Sequence, residues 1–370
     1  MINFDNRLKS LKDRRQGTRE RVLLENSLSQ YDSRDLRTQE SYERLSESAA
    51  IKYAVGAMAA VDRDSTRISI QEGERVADTL ISMLGNAGIR ATKEIQGSVA
   101  LDIHIQGHSD VDMLILKEDI VLVQTPKLDG SSCVASDQRP MKDIIRELRL
   151  TSEQKLTSRY YEATVDCSGN KSIALSGGSL KRKVDIVPAC WYHTHDYQRS
   201  GLKHDKEVQI YHKANHDLVG NKPFMHIKKV NDKDSIYSGN LKKVTRLMKN
   251  LVADMPDYKK GKAKKLSSYD LTALAYDMDD QLSCPSYMSL ALVERLRAHL
   301  SLLVSSETLR DLILVPDGSR KVFNEESKLE ALQIISNEVD DLAKAIYKSI
   351  APLSHMVYDS SALNHRHVYI

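Results

Sequence analysis

The chain has no apolar run near the ~18–20 residues that a membrane span needs, so no membrane partner is expected. Its first residues, Met1-Ile2-Asn3-Phe4-Asp5-Asn6-Arg7, lack the apolar core of a secretory signal. No C-x-x-C pair occurs. The four cysteines, Cys133, Cys167, Cys190 and Cys284, lie far apart, which fits reduced thiols in the cytoplasm better than a disulfide framework. Charge of one sign is also missing: 54 Lys and Arg against 51 Asp and Glu leave +3, which argues against a dedicated duplex-DNA binder. There is no internal repeat.

What is present is enough to fold. The 370 residues are 41% hydrophobic and 28% charged, which allows two domains with real cores and excludes wholesale disorder. Positive charge is local, at Lys181-Arg182-Lys183, Lys242-Lys243 and Lys259 to Lys265. Such clusters can serve a small polyphosphate or simply face solvent.

The periodicity changes along the chain. Residues 1–35 read as a polar arm or short helix. Helical patterns follow over about Ser41–Val61 and Ser69–Leu84, the second with a stripe of Val76, Leu80, Met83 and Leu84. Alternation then predicts strands at Leu101–Ile105 and Val111–Ile115, with more at Tyr160–Asp166, Ser172–Leu175, Lys183–Val187 and Val208–His212. A short helix is expected over Met141–Leu150. Gly177-Gly178 reads as a turn, and Pro188 as the end of a strand. From Asn240 the pattern is nearly all helical. The division expected is 1–225 for N-terminal helices and a mixed-sheet core, 226–355 for a helical lobe, and 356–370 for a tail.

One spacing carries chemistry. Gly97-Ser98 is followed, after eleven residues, by Asp110-Val111-Asp112-Met113. On a strand, residues i and i+2 share a face, so Asp110 and Asp112 project side by side. Paired carboxylates repel unless a cation lies between them, and all-oxygen donors suit Mg²⁺. A third acid, Asp185, sits in Lys183-Val184-Asp185-Ile186-Val187, on the strand face opposite Val184 and Ile186. Were that strand to neighbour the first, three carboxylates would meet at one point. That is the donor set of a two-metal site, with ions roughly 3.5–4 Å apart. Gly97 would let backbone approach a phosphate, and Ser98 adds a hydroxyl and an N–H.

These residues resemble the DNA polymerase β-like nucleotidyltransferase superfamily, whose pattern is h-G-[GS], a spacer, then D-h-[DE]-h. Within it the chain is similar to the bacterial CD-NTases, relatives of animal cyclic GMP–AMP synthase. Asn240 to Lys249 resembles the helix that ends in a triphosphate-binding lysine, here Lys249. Lys265 to Leu271 resembles the Ser-Ser-Tyr segment, in which a serine (Ser268) reaches phosphate and a tyrosine (Tyr269) stacks on a base. The resemblance runs from about Ala49 to about Tyr347.

Local physics allows the same roles. Lys242, Arg246 and Lys249 fall at i, i+4 and i+7, on the helix face opposite the apolar stripe. Ser267-x-x-Asp270 is a capping box, which puts Ser268 and Tyr269 at a helix N-terminus. A zinc site among His193, His195, His204, His212, His216, His226 and Cys190 has no standard ligand spacing. Trp191 reads as a packing residue.

The resemblance implies a bilobed α/β (α+β) enzyme. A mixed-sheet core would carry Asp110, Asp112 and Asp185, and a C-terminal helical lobe Lys249, Ser268 and Tyr269, with the nucleotide in a cleft between lobes. Two Mg²⁺ ions, replaceable by Mn²⁺, would be held by the acids. Asp185 would activate a ribose hydroxyl. NTPs, ATP among them, would be condensed into a cyclic di- or trinucleotide that activates a separate effector in anti-phage defence. No zinc-binding insertion of the animal enzyme is present, and with it goes the argument for DNA-triggered activation. The acids would serve equally a nucleotidyltransferase that modifies RNA or protein. A binding module that merely keeps the fold is disfavoured by the intact acids.

Overall fold

The structure, a computed structural model, describes residues 2–27, 39–107, 109–128, 137–351 and 358–369, with backbone alone over 18–27. Cys133 lies outside the described residues. The chain divides into two compact units. A sheet unit comprises Asp62–Leu101 and Ser109–Lys229; a helical unit comprises Met1–Val61, Asp102–His108 and Val230–Ile370. The N-terminal helices therefore group with the C-terminal helices rather than with the sheet, as the expected division at residue 225 had it.

Helix α1 spans Phe4–Ser27 and α2 Ala49–Met58. The sheet unit opens with α3, Arg63–Gly85. The helix starts six residues earlier than the apolar stripe implied. Asp62 caps it by accepting from Asp64 and Ser65 N–H, and its first turns bury two serines alongside Ile68: Arg182 donates to Ser65 and Ser69 Oγ, each at 3.2 Å. Strand β1 is Ala91–Gln96, followed by the single turn α4, Gly97–Ala100. Strand β2 is Val111–Val123 and helix α5 Met141–Arg159. Strands β3 (Thr164–Asp166), β4 (Ile173–Ser176) and β5 (Val184–His193) follow, then the short α6 (His195–Ser200), β6 (Glu207–His212) and β7 (Asp217–Asn221).

The strands form one mixed sheet in the order β1-β2-β5-β4-β3, with β6 on β5 and β7 on β6. Only β2 and β5 run parallel. Two expectations change here. Leu101, Ile103 and Ile105 are buried, but in a non-strand segment that turns at Asp102, φ +55°, and buries His104 and Gln106 as well, so their alternation does not mark a ladder. And β5 runs through Pro188. On one side β4 pairs as far as Ile186 and β6 begins at Ala189, so the missing proline N–H falls in the gap between two partners. The edge strand β7, polar and short, had no readable signal.

The two faces of the sheet are distinct. Val111, Met113, Ile115, Val184 and Ile186 pack under α3 and α5, against Val76, Leu80, Leu84, Leu148 and Leu156. Gly73 lets α3 come this close, since a Cβ there would lie 2.6 Å from Val111 Cγ1. Leu80 is fully buried in this cluster, so Leu80→Ala should lower stability by about 2–5 kcal/mol in denaturant unfolding. A loss under ~1 kcal/mol would mean that α3 is not seated on this core. The opposite face carries Leu114, Leu116, Val187 and Ala189 beneath Phe224, with Trp191 packed on Phe224 at 5.4 Å between ring centres.

The remaining helices are α7 (Pro223–Ile236), α8 (Asn240–Ala253), α9 (Asp257–Ala263), α10 (Ser268–Asp277), α11 (Ser289–Ser305), α12 (Glu307–Leu312), α13 (Glu326–Ile350) and α14 (Ser361–Asn364). In the helical unit, α8 packs against α2, α10 and α13. The expected tail is docked where it is described: Leu363 is fully buried, and Val368 N–H donates to Tyr287 O at 2.7 Å. Among the described residues no helix is long and apolar enough to cross a membrane.

Candidate active site

The sheet register decides the arrangement of the acids. Asp112 pairs directly with Asp185 across the parallel β2–β5 ladder. Register partners put their side chains on the same face. That face is the one continued by Leu114, Leu116, Val187 and Ala189, at the end of the strands where the apolar cover stops. Val111 and Val184, one residue away, point into the opposite core. Asp110 precedes β2, and all three acids are half-buried.

The electrostatics match this placement. The Asp185 carboxyl is held above the usual carboxylate range, first by burial and then by the charge of Asp110; a hydrogen bond from Ser172 and the charge of Lys183 oppose the shift. Ser172 Oγ donates to Asp185 Oδ2 at 3.3 Å.

Gly97 completes the site. Gln96 at the end of β1 pairs with Asp112, and the chain turns there with Gly97 at φ +76°. A Cβ built on Gly97 would fall 2.0 Å from Asp112 Oδ2. Both the backbone conformation and the carboxylate therefore demand glycine. Ser98 follows at the start of α4, half-buried.

The condition set for three carboxylates to meet, that the strand of Asp185 neighbour that of Asp112, is met. The structure sets Asp112 and Asp185 side by side, with Asp110 near enough to act on Asp185. Among the described residues, no three His, Cys, Asp or Glu side chains form a ready-made ligand group. The chemistry of the donors nevertheless fits a hard divalent cation: three carboxylates, all oxygen, partly open to solvent, with mutual repulsion that a cation relieves.

The other expected residues lie in the helical unit. Lys249 is on α8 and is buried, 8% exposed. The basic stripe on α8 is not a solvated face. Arg246 is buried and donates to Met58 O at 2.9 Å and Asp102 O at 2.6 Å, and Lys242 is 3.8 Å from Asp234 Oδ2. Arg246 thus ties α8 to α2 and to the segment after Leu101. The capping box at α10 is present in both halves. Asp270 N–H donates to Ser267 Oγ, and Ser267 N–H donates to Asp270 Oδ2. Asp270 is buried and also holds Arg320 at 2.7 Å, which fixes the start of α10. Ser268 is exposed in that first turn and Tyr269 is half-buried.

Sequence reasoning missed Ser172 and Lys183 as neighbours of Asp185. Lys183 is its i−2 neighbour on the same chain; Ser172 has no local signal and arrives through the antiparallel pairing of β4 with β5.

A glycine turn against a strand acid, with a second acid in register on the adjacent parallel strand, defines a polymerase β-type nucleotidyltransferase. The family model of the cGAS/DncV-like nucleotidyltransferase C-terminal helical domain matches residues 228–346. The cyclic dinucleotide synthase CdnE of Yersinia aleksiciae is 35% identical over 346 residues, covering 90% of this chain and 89% of that protein. A c-di-GMP synthase of a Lachnospiraceae bacterium is 29% identical over 65% of this chain and 72% of its own length. Among solved structures, the STING-associated CdnE c-di-GMP synthase from Capnocytophaga granulosa aligns with a TM-score of 0.68 at 26% identity, over 93% of this chain and 99% of that one. The chain belongs to the cGAS/DncV-like nucleotidyltransferases, the CD-NTases, and is a cyclic-oligonucleotide synthase of that family. Enzymes of this family use divalent metal ions.

Proposed function

We propose that the protein condenses two nucleoside triphosphates into a cyclic dinucleotide in the cytoplasm, and that this product activates a separate effector in anti-phage signalling. The observation that carries the reading is the register pairing of Asp112 with Asp185 beside the Gly97 turn. The names of the relatives support a dinucleotide over a trinucleotide, and several of them are called c-di-GMP synthases, so GTP is the first substrate to test, alongside ATP.

Asp110, Asp112 and Asp185 would hold Mg²⁺ ions, with Mn²⁺ able to substitute. When bound, the metal lowers the pKa of an attacking hydroxyl and stabilises a departing pyrophosphate. Asp185 takes the proton of the ribose hydroxyl. The hydroxyl oxygen forms a bond to the α-phosphorus of the other nucleotide, the α–β anhydride breaks, and pyrophosphate leaves. A second round closes the ring and releases a second pyrophosphate. The Gly97-Ser98 turn binds phosphate through backbone N–H and the Ser98 hydroxyl. Lys249 and Ser268 bind phosphate, and Tyr269 stacks on a base.

The test is purified protein with labelled NTPs, divalent cation and no acceptor. A small phosphatase-resistant product whose mass is that of a cyclic dinucleotide supports the reading; label appearing only on added RNA or protein overturns it. Tyr269→Ala should raise KM for the nucleotide roughly tenfold with a smaller change in kcat, since base stacking is worth ~1–3 kcal/mol. A fall in kcat at unchanged KM would remove the tyrosine from base binding.

A further inference from the structure

The turn between β3 and β4 is held from below by a buried guanidinium. Arg149, on α5, is fully buried, and its Nη2 donates to three carbonyls of that turn: Cys167 O at 3.3 Å, Gly169 O at 2.8 Å and Ser172 O at 3.0 Å. Its Nε donates to Glu153 Oε1 at 2.7 Å. Glu153 in turn accepts from Lys213 Nζ at 2.8 Å, and Lys213 reaches the same turn twice, through Nζ to Cys167 O at 3.0 Å and through its backbone N–H to Asn170 O at 2.9 Å. Five bonds from two basic residues, four of them from the cationic groups, thus converge on six residues of chain.

That turn ends at Ser172. Ala174 pairs with Asp185, and Ser172, the residue just before β4, lies two residues from Ala174, and its hydroxyl donates to Asp185 Oδ2. An exposed turn otherwise free to shift is instead fixed at the carbonyl of the residue that touches the third acid. We infer that Arg149, with Glu153 and Lys213, is a positioning group for the reaction: it sets Ser172, and Ser172 orients the Asp185 carboxylate. This rests on the assignment of Asp185 to the chemistry. Partners that orient a metal-binding or reacting carboxylate are typically worth roughly ten- to hundredfold in activity or metal affinity.

The experiment compares Ser172→Thr with Ser172→Val, two side chains of like shape that differ by the hydroxyl. Ser172→Val should lower kcat roughly tenfold or more at unchanged KM and should shrink the rise in Tm that Mn²⁺ produces; Ser172→Thr should keep both. Arg149→Lys, which cannot span three carbonyls, should lower kcat in the wild-type background and not further in the Ser172→Val background. Lys213→Met, which removes two side-chain bonds but leaves the α5 core intact, is read the same way if Arg149→Lys does not fold. Equal kcat for the Thr and Val variants overturns the role of Ser172. Equal losses from Arg149→Lys, or from Lys213→Met, in both backgrounds overturn the action through it. Asp185→Asn serves as control: full activity there would defeat the assignment of Asp185 itself, a different failure from either of these.

Discussion

Asp185→Asn should abolish product formation while making the protein more stable. The loss of turnover should reach roughly a thousandfold or more, because metal stabilisation of the transition state is worth several kcal/mol and each 1.36 kcal/mol is a factor of ten. The stability gain follows from the raised proton affinity of Asp185, whose causes are burial and then the charge of Asp110. A carboxyl whose pKa is higher in the folded state than in the unfolded chain makes its ionised form a burden on the fold. That burden is fully present above the folded-state pKa. It fades as pH falls through that value and is gone below the unfolded pKa. Asparagine carries no charge and keeps an oxygen to accept from Ser172. The Tm of the variant should therefore exceed that of the wild type near neutral pH in metal-free buffer, and the difference should shrink toward acid. Calorimetry across pH reads this directly. A variant less stable than wild type at neutral pH would show that Asp185 is a structural group and not a strained functional one.

Gly97→Ala should remove activity with the opposite effect on stability. The new Cβ would sit 2.0 Å from Asp112 Oδ2, a distance no real contact tolerates, and the backbone is at φ +76°. Relief requires either that the turn moves away or that the carboxylate does. The φ penalty alone is about 1–2 kcal/mol, and steric displacement adds to it. Since a 1 Å misplacement of a reacting group can cost roughly a hundredfold, turnover should fall by at least that factor. Denaturant unfolding and steady-state kinetics on one preparation give both numbers. Near-normal turnover would mean that the turn and Asp112 do not act as a unit.

Together the two variants separate two properties that a sequence motif merges. Asp185 is held at a cost in stability, whereas Gly97 is the residue that makes the close approach to Asp112 possible. The motif shows that both are required and says nothing of the sign of either effect.

Much of the site was legible because it depends on local geometry. The place of Asp112 on the sheet face opposite Val111 follows from the strand period, whereas Asp110 lies just before β2. The capping box of Ser267 and Asp270 follows from the reach of two short side chains across one helical turn, and the structure contains both of its bonds. The readings that changed all depended on partners distant in sequence. Pro188 reads as a terminator until β4 and β6 leave a gap beside it. The Lys242–Arg246–Lys249 spacing places the three on one helix face, open to a phosphate or to solvent, until Arg246 is found buried on two carbonyls. Leu101 to Ile105 alternate like a strand, and alternation cannot distinguish a ladder from an irregular buried segment.

By itself the chain dictated which residues would carry charge and which would cap, since each of these is settled within a few peptide units; the demand for glycine at position 97 comes from Asp112 on the neighbouring strand. Only tertiary structure could align Asp112 with Asp185 across two strands separated by sixty residues of chain, or seat Arg149 beneath the turn that touches the third acid. Strand register and burial are properties of the whole packed sheet: a shift of one residue would have turned Asp185 into the aliphatic core, and nothing adjacent to it in sequence prevents that.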